Sequence, residues 1–167
     1  MGPKGKMKFI YFSAFGAVSV LLVSVYFFST PSGMGSQEIE LEPNNKNLIM
    51  VGYGVYLKNC ASCHGIKLEG QKNWRSRDAA GYLPAPPHDE TGHTWHHSDR
   101  YLFNMTKYGI EKIIGKTYPN NMPAYERLLS DNEIIAVLSY IKSTWPKNIR
   151  KRHDQINARA RVNSNRS

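Results

Sequence analysis

An all-α domain behind one N-terminal transmembrane helix is the fold class this sequence predicts, and three observations predict it. Phe9 to Phe28 form a run of twenty residues with no charge. Beyond it, apolar residues recur at helical spacing behind capping patterns such as Ser130-Asp131-Asn132-Glu133. Strand signals are weak throughout. The 167 residues suit one domain of ordinary size plus extensions. A hydrophobic content of 41%, with ten Tyr, six Phe and three Trp, is enough for a core and excludes wholesale disorder. Two cysteines exclude a disulfide-rich scaffold.

The net charge of +9 is confined to the two ends. Residues 1–8 carry Lys4, Lys6 and Lys8 and read as a basic cytoplasmic N-terminus. Residues 9–28 follow as the anchor, since twenty helical residues span about 30 Å, the thickness of bilayer hydrocarbon. Flanking lysines keep the N-terminus inside and place everything after the anchor outside. A cleaved signal peptide is the competing reading, but its apolar region is shorter and ends in small residues. Here the run ends in bulky Tyr26-Phe27-Phe28. Residues 29–46 are polar and rich in Gly, Pro and Ser, which predicts a flexible linker with an end-to-end distance of roughly 20–25 Å.

Leu48 to Leu57 read as an amphipathic first helix, with Met50 in its core. It leads into Cys60-Ala61-Ser62-Cys63-His64, which matches the attachment pattern of c-type haem. Two thiols three positions apart on a helical turn can each bond one vinyl group of the porphyrin, and the next histidine then lies under the iron. A thioredoxin-like pair would need a preceding buried strand, and a zinc site would need a second cysteine pair. A structural disulfide over so short a loop would add little stability. One covalent haem c is the reading that remains, in keeping with export.

Between residues 71 and 97 lie an irregular stretch, Gln71 to Tyr82, and a cluster of His88, His93, His96 and His97. The cluster reads first as a hydrogen-bonded loop with Trp95 packed on the domain, and second as a copper or zinc site or a source of an axial ligand. Ser98 or Asp99 starts a middle helix through Lys107, ended by Gly109. Asn121-Met122-Pro123 then offers a thioether, a soft ligand that favours Fe(II). Met105, at helical spacing, is the competing methionine and reads as core. The closing helix begins at the Ser130/Glu133 capping box, places Ile134, Val137, Leu138 and Ile141 on one face, and stops at Pro146.

With these motifs in place, residues 47–145 resemble the class I mono-haem cytochromes c. Gly52 and Tyr56 precede Cys60 as the glycine and aromatic of that family's first helix do, and Gly65 follows the histidine. Met122-Pro123 is similar to the distal ligand segment, and Val137 and Tyr140 to the closing helix that crosses the first at Gly52. The resemblance implies an all-α fold around one haem, with His64 and Met122 as axial ligands and single electrons as cargo. It also implies a proline carbonyl that accepts the second ring N–H of His64, either Pro86 or Pro84.

Residues 146–167 form a basic tail outside the haem domain, a solvated, partly helical terminus or an arm for an acidic partner or anionic lipid. The predicted function is a membrane-tethered electron carrier between a donor and an acceptor protein of a respiratory chain. No catalytic nucleophile or general base, no small-molecule substrate and no nucleic acid are implied. The alternatives are a haem subunit of a larger oxidoreductase, or a haem enzyme or sensor with an open sixth position. The predicted address is the periplasmic face of a bacterial inner membrane, with the mitochondrial intermembrane space as the alternative.

Overall fold

Asn45 starts the first helix by accepting the Leu48 N–H on its side-chain oxygen, 3.2 Å away. In the computed structural model, which describes Gly2 and residues 38–164, that helix is α1 (Lys46–Asn59). It is followed by α2 (Ala61–His64), a 3-10 turn (Thr94–His96), α3 (Asp99–Tyr108), α4 (Ile110–Ile114), α5 (Asp131–Thr144) and α6 (Lys147–Ser164). Among the described residues there is no strand. The chain divides after Gln37, and every described helix belongs to the part that begins at Glu38. The predicted anchor 9–28 lies outside the described residues, among which no helix is long and apolar enough to cross a membrane.

The scaffold is the crossing of α1 and α5. A Cβ at Gly52 would collide with the Ala136 carbonyl, so glycine lets the two backbones meet. Around that point Tyr140 packs its ring against Tyr53 and Tyr56, with centroids 5.3 and 5.5 Å apart. Below it Tyr56, Ile134, Val137, Leu138 and Ile141 are buried and merge with Leu102 and Phe103 of α3. Local chemistry sets the boundaries. Ser130 accepts the Glu133 N–H while Glu133 accepts the Ser130 N–H, the reciprocal box that opens α5. Ser98 caps α3, and Gly109 ends it at positive φ.

Three expectations are corrected by the packing. Residues 38–45 are not loose linker. Leu41 is 3% exposed, its N–H donates to Asp99 at 3.0 Å, and the Glu42 N–H donates to the Ser139 hydroxyl at 2.9 Å. The polar composition of 29–46 hides Ile39 and Leu41, which pack on the core and seat this strap together with those hydrogen bonds. The tail is likewise not outside the domain. Lys147–Ser164 is one 18-residue helix that buries Ile149, His153 and Asn157 at four-residue spacing. Met50, finally, is not core but 69% exposed on α1.

Strap and tail are joined by a buried polar cluster. The Asp99 N–H donates to Asn157 at 2.8 Å, and His153 donates from Nε2 to the His97 carbonyl at 2.8 Å. Lys142 is buried between Asp154, at 2.9 Å, and Asp99, at 3.9 Å. The Asp99 carboxylate is offset at this depth by the Leu41 N–H on Oδ2 and by the Lys142 cation, while its Oδ1 has no hydrogen-bond partner.

Candidate functional site

The site grows from the junction of α1 and α2. Cys60 closes α1 through its N–H to the Tyr56 carbonyl, and His64 donates its N–H back to the Cys60 carbonyl, both at 2.9 Å. Cys60, Cys63 and His64 therefore share one helical turn. Both cysteines are free, Cys60 half-buried and Cys63 exposed. Burial, and then the neighbouring Cys63, push the Cys60 thiol up to about 11. The Tyr56 hydroxyl donates to the Gly65 carbonyl at 2.7 Å and ties the turn to the core.

His64 is buried, and its Nδ1 lies 2.8 Å from the Pro86 carbonyl. A carbonyl only accepts, so Nδ1 carries the proton and Nε2 presents a lone pair. Burial lowers the His64 pKa, and the Pro86 bond only partly offsets this, so the ring is neutral. Of the two proline candidates, Pro86 is the one bonded. Its position is set by a short zipper: Gln71 donates its N–H to Ala85, Gly70 to His64, and His88 to Leu68, each at 2.8 Å. Gly65, at φ +81°, turns the chain into that zipper where a Cβ would strike the Glu69 carboxylate.

Met122 lies on the loop between α4 and α5. Half-buried, it packs on the same core that Cys60 borders, and its N–H donates to the Asn120 side chain at 3.1 Å. Three residues on, Tyr125 donates its N–H to Thr106 at 3.1 Å and its hydroxyl to the Asn59 carbonyl at 2.8 Å. The Met122 segment is thus pinned against the residue that precedes Cys60. Burial, with Cys60 and Cys63 adding to it, holds the Tyr125 hydroxyl protonated, its pKa pushed up to about 12. Met105 stays on α3, half-buried.

The four clustered histidines each stack on a different ring, and His93 also meets His97 edge-on with centroids 5.5 Å apart. His88 stacks on His64 with centroids 3.9 Å apart and bonds Thr94 at 2.8 Å. His93 stacks on Trp74, His96 on Trp95 and His97 on Tyr101. Among the described residues no group of three His, Cys, Asp or Glu could hold a metal ion. Burial, then His64 and His93, keep His88 neutral. Trp95 packs against the core and donates its indole N–H to the Glu90 carbonyl at 3.2 Å. Two contacts escape a reading of the sequence: the His88 stack and the Tyr125–Asn59 bond. Nothing local marks either, because each joins residues far apart in the chain.

Two thiols and a neutral imidazole on one turn, with no hydrogen bond at the imidazole Nε2 among the described residues, are a donor set suited to covalent haem. Compared with known families, residues 49–145 match the family model described as Cytochrome c. Neither a curated protein nor a solved structure matches the chain.

Proposed function

Because the chain belongs to the cytochrome c family and carries covalently bound haem c, we propose that it is a membrane-tethered electron carrier with Cys60 and Cys63 as attachment thiols and His64 and Met122 as axial ligands. The haem supplies a one-electron Fe(III)/Fe(II) couple. Everything else follows from what the chain does around it. Cys60 and Cys63 fix the group to one turn of helix. His64 offers Nε2 in a single tautomer because Pro86 holds its other nitrogen, and that bond raises the basicity of the ligand. Met122 offers a thioether, which favours the reduced state. Tyr125 and Thr106 keep the segment carrying it in place.

The carrier role needs two protein partners, a donor and an acceptor, met in brief encounters. The uncharged run 9–28 would hold the carrier at the outer face of a bacterial inner membrane, and no substrate chemistry is assigned to it. The observation that carries the reading is the His64–Pro86 bond beside two free thiols in one turn. A second reading, a haem-bearing subunit of a larger oxidoreductase, draws on the exposed apolar residues Met50, Val51 and Leu57 of α1, a face suited to a permanent neighbour.

An absorption spectrum tests the ligation. The oxidised protein should be low-spin and show the weak long-wavelength charge-transfer band of a sulfur–Fe(III) pair. Met122→Ala should lose that band and take up carbon monoxide when reduced. A wild-type protein that is already high-spin and binds carbon monoxide would sink the Met122 assignment. Purification in mild detergent separates the readings, since stoichiometric partner subunits would favour the second.

A further inference from the structure

Helix α6 shows two unlike faces. Ile149, His153, Ile156, Asn157 and Ala160 are turned into the domain, while Lys147, Lys151, Arg152 and Arg159 are exposed. At 3.6 residues per turn those four cations fall within an arc of about 140° that points away from the core. Ala158 and Val162, the latter 50% exposed, lie inside the same arc. Asp154, the one acid of the helix, sits at the edge of the buried side and pairs with Lys142 at 2.9 Å. Among the described residues none of the four cations is ion-paired. The result is a basic strip about 18 Å long, with Ala158 and Val162 at its C-terminal end.

The strap shows where this strip stands. Arg150 reaches the Asn44 side chain at 3.4 Å, whereas Arg161 pairs with Glu38 and, at 3.7 Å, with Glu40. The strap therefore runs antiparallel to α6 and meets its last turns at Glu38. Only residues 29–37 separate Glu38 from the apolar run, and nine residues reach at most about 30 Å.

We propose that the exposed face of α6 binds anionic lipid headgroups, so that the haem domain lies against the membrane surface instead of swinging free above it. The proposal rests on the reading of residues 9–28 as an anchor. Headgroup phosphates supply the missing counter-charge, and Val162 and Ala158 suit the boundary beneath them. Each cation near an anionic surface is worth about a fivefold gain in association.

The full chain, loaded with haem, would be reconstituted in vesicles of phosphatidylcholine alone and of phosphatidylcholine with phosphatidylglycerol. A water-soluble arginine reagent and peptide mapping then read the exposure of Arg152 and Arg159, with Arg75 as the control. Labelling of both should fall about fivefold or more in the anionic vesicles and recover in about 0.5 M salt, with Arg75 unchanged. K147Q/K151Q should restore most of the Arg159 labelling. Equal labelling in both vesicle types overturns the proposal, and so does protection that appears only on adding an acidic redox protein. An alkaline carbonate wash separates the two readings. Release from neutral vesicles removes the anchor and the proposal with it, whereas retention with equal labelling removes the proposal alone.

Discussion

His88 stands where an aliphatic side chain would fill the same space, and its imidazole does two jobs. It lies flat on His64 and bonds Thr94, whose side chain is buried. A stacked aromatic pair contributes about 0.5–1.5 kcal/mol beyond its buried area, and a hydrogen bond about 1 kcal/mol. His88→Phe should therefore lower the unfolding free energy of the haem-loaded protein by about 1 kcal/mol, and His88→Ala by about 2–3 kcal/mol. Urea unfolding followed at the helical circular-dichroism signal measures both. Equal losses would show that the stack contributes nothing. Tyr125→Phe belongs to the same scale. It leaves the Asn59 carbonyl without its donor and should lower stability by about 1 kcal/mol in the same assay. Contiguous motifs make the thiols, His64 and Met122 legible in the sequence as candidates. His88 and Tyr125 were not legible as supports, since their partners lie 24 and 66 positions away and become neighbours only on folding.

At the scale of the helix, short-range rules decide. The capping box of α5 and the Ser98 cap of α3 could be read from three or four residues because the bonds that form them span no more than that. Ser130→Ala removes the hydroxyl that accepts the Glu133 N–H and should cost about 1 kcal/mol. Its acid dependence has a definite sign. The Ser130 N–H and hydroxyl hold the Glu133 carboxyl below the usual range. The stability this provides is present above the ordinary glutamate value of about 4.3 and fades as pH falls through it. Ser130→Ala should therefore lose less on going from pH 6 to pH 3.5 than the wild type does, as thermal melts at the two values would show. Gly52→Ala tests the crossing itself. A methyl group there meets backbone, which cannot swing aside, so the loss should reach about 3 kcal/mol, the upper end of overpacking. The same local rules explain why the packing of α6 into the domain escapes a reading of the sequence. Its apolar positions are few, and its packing face includes His153 and Asn157, so an apolar periodicity finds too little to hold.

Across the whole molecule, the buried cluster around Asp99 and His153 binds the strap, α3, α5 and α6 into one body, and its titration reaches all of them. The groups facing His153 are Asp99 from α3, Lys142 from α5, Asp154 from its own helix, and the His97 carbonyl. Burial lowers its pKa despite the opposing pull of Asp99. Geometry agrees, because Nε2 already donates to His97 while Nδ1 has no hydrogen-bond partner, so a second proton would create a buried donor with nothing to meet. For a histidine with a depressed folded pKa, the unfolded chain binds more protons as pH falls past about 6.5. The neutral ring therefore stabilises the fold above that value, and the contribution is lost between it and the lower folded pKa. His88, lowered well below its ordinary value by burial, pushes the same way, as do His93 and His97, both partly open to water. The haem-loaded protein should melt at lower temperature at pH 5 than at pH 7.5, by about 2–4 °C for each kcal/mol lost. His153→Gln keeps a donor for the His97 carbonyl but cannot titrate, so its melting temperature should change less over the same interval. An identical pH slope in the two proteins would place the acid sensitivity elsewhere. A shallower one would make this cluster the point at which acid loosens α6 and the strap together.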